Sequence, residues 1–261
     1  MSEYSPDIYW PLGSTVQGTN FSSAQDKYRH FGLLSINPLN GHIVLIYRKG
    51  DTHAADYGVI CIRHSSDGGV NWSNEEVLFA EQSVDLRNIA GGYVSSGRLF
   101  LFYARYFPNT QTWYSMNYRY SDDDGQNWSN EHTLSNMSQS GFSPHGHIID
   151  VANNVFYQTW YALTGSTYKL FLYKTINGNN NPPSFSVIEI YSGTTQYIET
   201  SMINIGGGCF ILLARNNGSW FFHQFKSENN CQNWTSQGDT SFETLSGEKS
   251  LPWLSVINYE G

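Results

Sequence analysis

Charge is what this chain has least of. Only 14% of its 261 residues are Asp, Glu, Lys or Arg, against about 25% in an ordinary soluble domain. Long helices are built from Glu, Lys and Arg together with Ala and Leu, so a helical protein is excluded. The 14 basic residues are outnumbered by 22 acidic ones, giving a net charge of −8, and no Lys/Arg run occurs anywhere. A nucleic-acid partner would need such a run to meet its phosphates, so none is expected. No window approaches the roughly 18 consecutive apolar residues of a membrane span. The start, Met-Ser-Glu-Tyr-Ser-Pro, lacks the basic residues and apolar stretch of a signal peptide, which points away from classical secretion. Three cysteines, Cys61, Cys209 and Cys231, cannot all pair and have no C-x-x-C spacing, so they are expected as buried strand thiols. No metal or cofactor set can be nominated.

What fills the space is aromatic and small. Phe, Trp and Tyr make up 16% of the chain, with 24 Gly and abundant Ser and Asn. That mixture suits many short strands joined by tight turns, and the expected class is all-β.

A repeat organises it. Ser65-Ser-Asp67-Gly-Gly69-Val-Asn-Trp72 and Ser121-Asp-Asp123-Asp-Gly125-Gln-Asn-Trp128 both fit S-x-D-x-G-x-x-W, and their Asp residues lie 56 apart (123 − 67). A worn copy, Ser227-Glu-Asn229-Asn-Cys231-Gln-Asn-Trp234, follows 106 residues later (229 − 123), about two periods on. Between the turns, each period carries four short apolar or alternating segments. Four antiparallel strands per period describe a blade of a β-propeller. The expected blades span residues about 27–82, 86–138, 142–193 and 197–246. A fifth is expected from about 247–261 together with 5–24, joining the chain ends and leaving no open edge; the alternative is six blades in a longer parent chain. In the turn, Asp accepts bonds from amides, Gly supplies a left-handed residue and Trp packs between sheets, so these Asp residues are expected to be structural.

The turns resemble the Asp-box (BNR) repeats of sialidases, a family that includes phage endosialidases. Several further segments carry the resemblance. Tyr28-Arg29-His30-Phe31 is similar to the family's F/Y-R-I-P, whose Arg grips the substrate carboxylate, although Phe31 stands in place of Pro. The loop Tyr47-Arg48-Lys49-Gly50-Asp51-Thr52-His53-Ala54-Ala55-Asp56 lies where the family carries its general-acid Asp. Asp56 is the nominee, Asp51 and His53 are rivals, and Arg48 and His53 are expected against substrate. Phe142-Ser-Pro144-His145-Gly146-His147 is similar to a pocket-lining P-G-x-G-I segment. Its two His, at i and i+2, are expected on one side of a strand, with His147 touching substrate.

Glu199, followed 16 residues later (215 − 199) by Leu-Leu-Ala-Arg215-Asn, matches the family's Glu and a second carboxylate-binding Arg. In the family that Glu takes the proton of a nucleophilic Tyr, whose ordinary pKa of about 10 makes it sluggish near neutrality. Tyr259-Glu260-Gly261 echoes the nucleophile motif but follows Glu199 by only 60 residues (259 − 199), one blade too early. No Arg follows Arg215, so the third carboxylate-binding Arg is missing or supplied by Arg87 or Arg105.

The resemblance implies a sialidase-like glycoside hydrolase acting on sialic acid or a related acidic glycan, with no cofactor or metal. The catalytic set is then Asp56, Glu199 and Tyr259, with Arg29, Arg48, His53, Arg87, His147 and Arg215 on the substrate. The alternative is a non-catalytic glycan-binding propeller, such as a phage receptor-binding module. A cytoplasmic or virion-associated setting would suit either reading.

Overall fold

The computed structural model describes residues 28–53, 57–134, 140–152, 155–175 and 177–243. All regular structure in them is β. The sixteen strands are β1 (Tyr28–Ile36), β2 (Ile43–Gly50), β3 (Val59–Ser65), β4 (Glu76–Phe79), β5 (Asp85–Tyr93), β6 (Leu99–Phe107), β7 (Thr112–Ser121) and β8 (His132–Thr133), then β9 (Ser140–Ala152), β10 (Val155–Thr164), β11 (Thr167–Thr175), β12 (Phe185–Gly193), β13 (Tyr197–Gly206), β14 (Cys209–Asn216), β15 (Phe221–Ser227) and β16 (Thr235–Glu243). No helix among the described residues is long and apolar enough to cross a membrane.

Each run of four strands is an antiparallel meander. Units 1 and 4 are separate sheets, β1-β2-β3-β4 and β13-β14-β15-β16. Units 2 and 3 join through one parallel pair, Gly91 with His147, into a sheet ordered β12-β11-β10-β9-β5-β6-β7-β8. The first strands of successive units, β1, β5, β9 and β13, lie beside one another, and β5 is buried along its whole length. The last strands of the first two units, β4 and β8, have only four and two residues. Short outer strands leave little open edge for another chain to pair with.

The hydrophobic core is laid down between consecutive units. Leu33, Val44, Ile46 and Ile60 of unit 1 pack on Val84, Leu86 and Leu101 of unit 2. Phe100 and Phe102 meet Phe156 and Trp160 of unit 3, and Tyr157, Leu170 and Leu172 meet Met202, Phe210 and Leu212 of unit 4. Because successive side chains of a strand point to opposite faces, every middle unit needs apolar residues on both. That need explains the aromatic surplus and the scarcity of charge.

The repeated turn is built as expected. Asp67 accepts hydrogen bonds from the Asn71 amide (2.9 Å) and the Ser65 hydroxyl (2.9 Å). Trp72 Nε1 donates to the Gly69 carbonyl at 3.0 Å. Asp123, Asn127, Ser121 and Trp128 repeat the set. In the worn copy Asn229 replaces Asp and still accepts from the Asn233 amide at 2.9 Å. Cys231 takes the Gly position with a left-handed φ of 62°. Cys61 and Cys231 are buried free thiols, while Cys209, expected to be buried too, is only partly covered; it opens β14 directly after a glycine turn.

A second repeated device was not expected. In unit 1 the Tyr47 hydroxyl donates to Glu75 (2.6 Å) and accepts from Arg63 Nε (3.3 Å). In unit 2 Tyr103, Glu131 and Arg119 make the same chain at 2.5 and 3.1 Å. The glutamates belong to the Trp-Ser-Asn-Glu run that follows each box Trp, so each turn is tied to its own second and third strands.

Candidate functional site

The first strands share an irregularity. β1 shifts register between His30 and Leu33, β5 between Arg87 and Ala90, and β13 between Ile198 and Thr200. β9 shifts between the partners of Tyr157 and Thr159. Non-glycine residues sit there in the left-handed region, Asn88 at φ 57° and Glu199 at φ 48°, and Gly146 takes the position in β9 at 74°. Such bulges re-aim side chains and concentrate beside functional sites.

The second strands contribute in register. Five residues beyond the first paired residue of β2, β6, β10 and β14 stand Arg48, Ala104, Tyr161 and Arg215. Where unit 2 has the short Ala104, its cross-strand partner is Arg87. Two guanidinium groups and a phenol therefore occupy matching second-strand places, and in unit 2 Arg87 stands beside the corresponding Ala104.

Their partners differ, and the partners decide what each can do. Arg48 is wholly buried and spends its guanidinium on Asp85, also wholly buried, with Nε to Oδ1 at 2.6 Å and Nη2 to Oδ2 at 3.0 Å. It also donates to His30 Nε2 (2.7 Å) and the Thr52 carbonyl (3.0 Å). Gly58 makes this possible: a Cβ there would run into the Arg48 guanidinium and the Asp85 carboxylate. Arg87 Nη1 lies 3.5 Å from Asp85, and its guanidinium stands 5.5 and 5.6 Å from the rings of Tyr106 and Trp113. Burial pulls its pKa down, partly opposed by Asp85. His53 stacks on His30 at 5.0 Å; burial, then the charges of Arg87 and Arg48, lower its pKa.

In unit 4 Arg215 Nη1 reaches Glu199 Oε2 at 2.6 Å. Burial raises the Glu199 pKa above the ordinary carboxylate range, opposed by Arg215. Tyr161 senses Glu199, Arg215 and Arg87 together; burial first and Glu199 second push its pKa up to about 12. It therefore stays a neutral donor at physiological pH. His145 donates Nδ1–H to the Thr200 carbonyl (2.9 Å), and burial drives its pKa down to about 4.

Three expectations need correcting or setting aside. Arg29 does not join this cluster: it alternates with His30 on β1 and bonds Glu75 (3.1 Å) in the Tyr47 network on the opposite face of the sheet. His145 and His147 do not share a side, because left-handed Gly146 breaks the alternation; His145 meets unit 4, while His147 pairs with Gly91 of unit 2. Asp56 and Tyr259 lie outside the described residues. Asp85 and Tyr161 are members that the motifs did not single out. The register offset of the second strands would have found Tyr161. No group of three metal-ligating side chains occurs among the described residues. The cleft of about 210 Å³ between Tyr118, Thr133, Tyr173, Pro183 and Phe185 lies elsewhere and holds no charged side chain.

Successive meanders braced by Asp-box turns make this an all-β repeat protein with a cluster of arginines partly neutralised by carboxylates. The family follows from its sequence: the chain belongs to the BNR repeat-like domain family, whose model matches residues 41–251. No curated protein matches it by sequence. Among solved structures it is similar to the Hadza microbial sialidase Hz136, with a TM-score of 0.68 at 13% identity over 80% of this chain and 46% of that one. The intramolecular trans-sialidase from Ruminococcus gnavus, solved with oseltamivir carboxylate, gives 0.68 at 12% identity, covering 83% and 71%. The Trypanosoma rangeli sialidase gives 0.64 at 12%, covering 81% and 38%. The fold is thus sialidase-like, and the chain spans less than half the length of two of these relatives.

Proposed function

We propose that this chain is a β-propeller that binds an acidic sugar at its centre and hydrolyses the glycosidic bond, as a sialidase does. The observation that carries the reading is the meeting of Glu199 and Arg215 at 2.6 Å on a strained first-strand bulge, with Tyr161 in electrostatic contact with both of them and with Arg87. Arg pairs bidentately with a carboxylate, which suits Arg87 and Arg215 to the sugar acid. Arg48 is committed to Asp85 and supports Arg87 from behind rather than touching substrate. The R. gnavus neighbour was solved with a carboxylate ligand, which fits this assignment.

Glu199 is suited to accept a proton, because burial brings its pKa closer to neutrality than that of an exposed carboxylate. Tyr259 is the proposed nucleophile it would relieve, and a tyrosine nucleophile is known chemistry for this reaction class. Asp56, three residues beyond His53, is the proposed acid on the leaving oxygen. The ring closes, in this proposal, with a fifth blade from residues 5–24 and 247–261. Leu34, Ile36 and Val77 on the free face of unit 1, and Ile205 on unit 4, are exposed and supply an apolar surface for it.

The test is release of free sialic acid from sialyl-lactose and from a polysialylated substrate. Glu199→Gln is expected to lower release by about 100-fold or more with an unchanged melting temperature. Binding to acidic glycans without release would reduce the reading to a non-catalytic glycan-binding module. The absence of both release and binding would overturn it.

A further inference from the structure

Unit 4 holds a second constellation that the central site does not use. His223 on β15 bonds Asp239 Oδ1 through Nδ1 at 2.7 Å and Ser236 Oγ through Nε2 at 2.8 Å. Both partners come from β16, the outermost strand of its sheet. His223 pairs with Ala214 in register and so points to the opposite face of the sheet from Arg215. Two observations go beyond a pair of cross-strand contacts.

First, the imidazole is held in place. It is buried, stacks on Tyr197 at 4.4 Å and meets the edge of Phe225 at 4.9 Å. Asp239 accepts a hydrogen bond from Nδ1–H, which leaves Nε2 as the acceptor facing the serine hydroxyl. Ser236 itself is exposed, so a substrate can reach it.

Second, the ladder breaks beside the serine. Phe225 pairs with Ser236 and Gln224 with Gly238, so Gln237 is skipped, and Gly238 follows with φ 92°. The amide after a nucleophilic serine is the donor that such sites aim at a developing oxyanion. Here it belongs to the residue that the ladder passes over.

We propose that Ser236, His223 and Asp239 form a serine-nucleophile site for short-chain carboxylic esters. Nucleophile–base and base–orienter contacts within about 2.6–3.2 Å are the geometry this chemistry requires on any fold. Ser236 Oγ attacks the ester carbonyl carbon while its proton passes to His223 Nε2. The bond from that carbon to the alkoxy oxygen breaks, and the departing alcohol takes the proton from Nε2. Water then attacks the acyl-serine, gives its proton to Nε2, and the serine oxygen leaves as the hydroxyl on recovering that proton, freeing the carboxylic acid. No oxidant, metal or second substrate is needed. The acyl group is short because the serine sits on an open strand face, away from the 210 Å³ cleft.

The experiment uses the full chain, a fluorophosphonate probe and p-nitrophenyl acetate. One adduct is expected on the peptide carrying Ser236, absent from Ser236→Ala and weakened in Asp239→Asn. Ester turnover should fall about 1000-fold in Ser236→Ala, while the melting temperature and any glycan binding stay as in the wild type. Absence of an adduct on Ser236, or turnover that survives Ser236→Ala, overturns the proposal. The glycan reading stands or falls separately, since it rests on Glu199 and Arg215.

Discussion

Replacing Asp85 by Asn keeps the shape of the most buried ion pair among the described residues and removes its negative charge. Arg48 and Asp85 are both fully shielded from solvent, with contacts of 2.6 and 3.0 Å, and Arg87 stands 3.5 Å from the same carboxylate. Two unit charges about 3 Å apart attract by roughly 5 kcal/mol at an effective dielectric near 20, and desolvation takes part of that back. The variant keeps the desolvation of both guanidinium groups and loses the attraction, so its cost exceeds the net worth of the pair. Breaking a buried pair from one side costs about 3–5 kcal/mol. At about 2–4 °C per kcal/mol for a chain of this size, the melting temperature should fall by about 6–20 °C. Urea unfolding at pH 7 measures the loss, with an unchanged slope showing that the compactness of both states is kept. Arg48→Met combined with Asp85→Leu should recover most of it, because apolar residues of similar volume need no partner. A loss below about 1 kcal/mol for Asp85→Asn would refute the reasoning and make the pair a bystander to packing.

Two further predictions concern acid. Burial raises the Glu75 pKa, but hydrogen bonds from Lys49, Tyr47 and Arg29 outweigh it and bring the value to about 2. A carboxylate with a depressed folded pKa stabilises the fold above its unfolded value, near 4.3, and loses that contribution as pH falls toward 2. Glu75→Gln should therefore cost roughly 2–3 kcal/mol at pH 7, a gap that narrows between about pH 4.5 and 2 in parallel urea titrations. His145 acts in an earlier window: its folded pKa of about 4 lies below the unfolded value of about 6.5. The unfolded chain thus takes the proton first, and stability falls as pH drops from about 6.5 to 4. In His145→Gln that slope should become shallower in denaturant midpoints measured across the range, the remainder coming from His53, His64, His132 and His147, whose pKa values burial also lowers.

Much of the architecture is legible in the one-dimensional pattern, because the box turn is local. Ser65, Asp67 and Asn71 bond within a few residues of one another, so a spacing rule captures the whole device. Glu199 and Arg215 are legible for a similar reason: they sit on adjacent strands of one hairpin, 16 residues apart (215 − 199), and a motif spans both. The misplaced residues fail where register or a neighbouring unit intervenes. Arg29 looks like a substrate arginine by its company in sequence, yet the alternation that sends His30 toward Arg48 sends Arg29 to the other face and Glu75. One left-handed glycine, Gly146, undoes the same-side rule for His145 and His147.

The sequence by itself determined an all-β chain of repeated meanders, because low charge, abundant aromatics and a recurring turn leave few other ways to bury the chain. Only the tertiary structure decided which charges meet. Arg48 finds Asp85 across 37 positions and His145 finds Thr200 across 55, distances bridged when one sheet face packs on the next. Ser236, His223 and Asp239 come together across the β15–β16 ladder, beside a break in its register. Local spacing sets the turns and strands; the stacking of faces and the breaks in register set the chemistry.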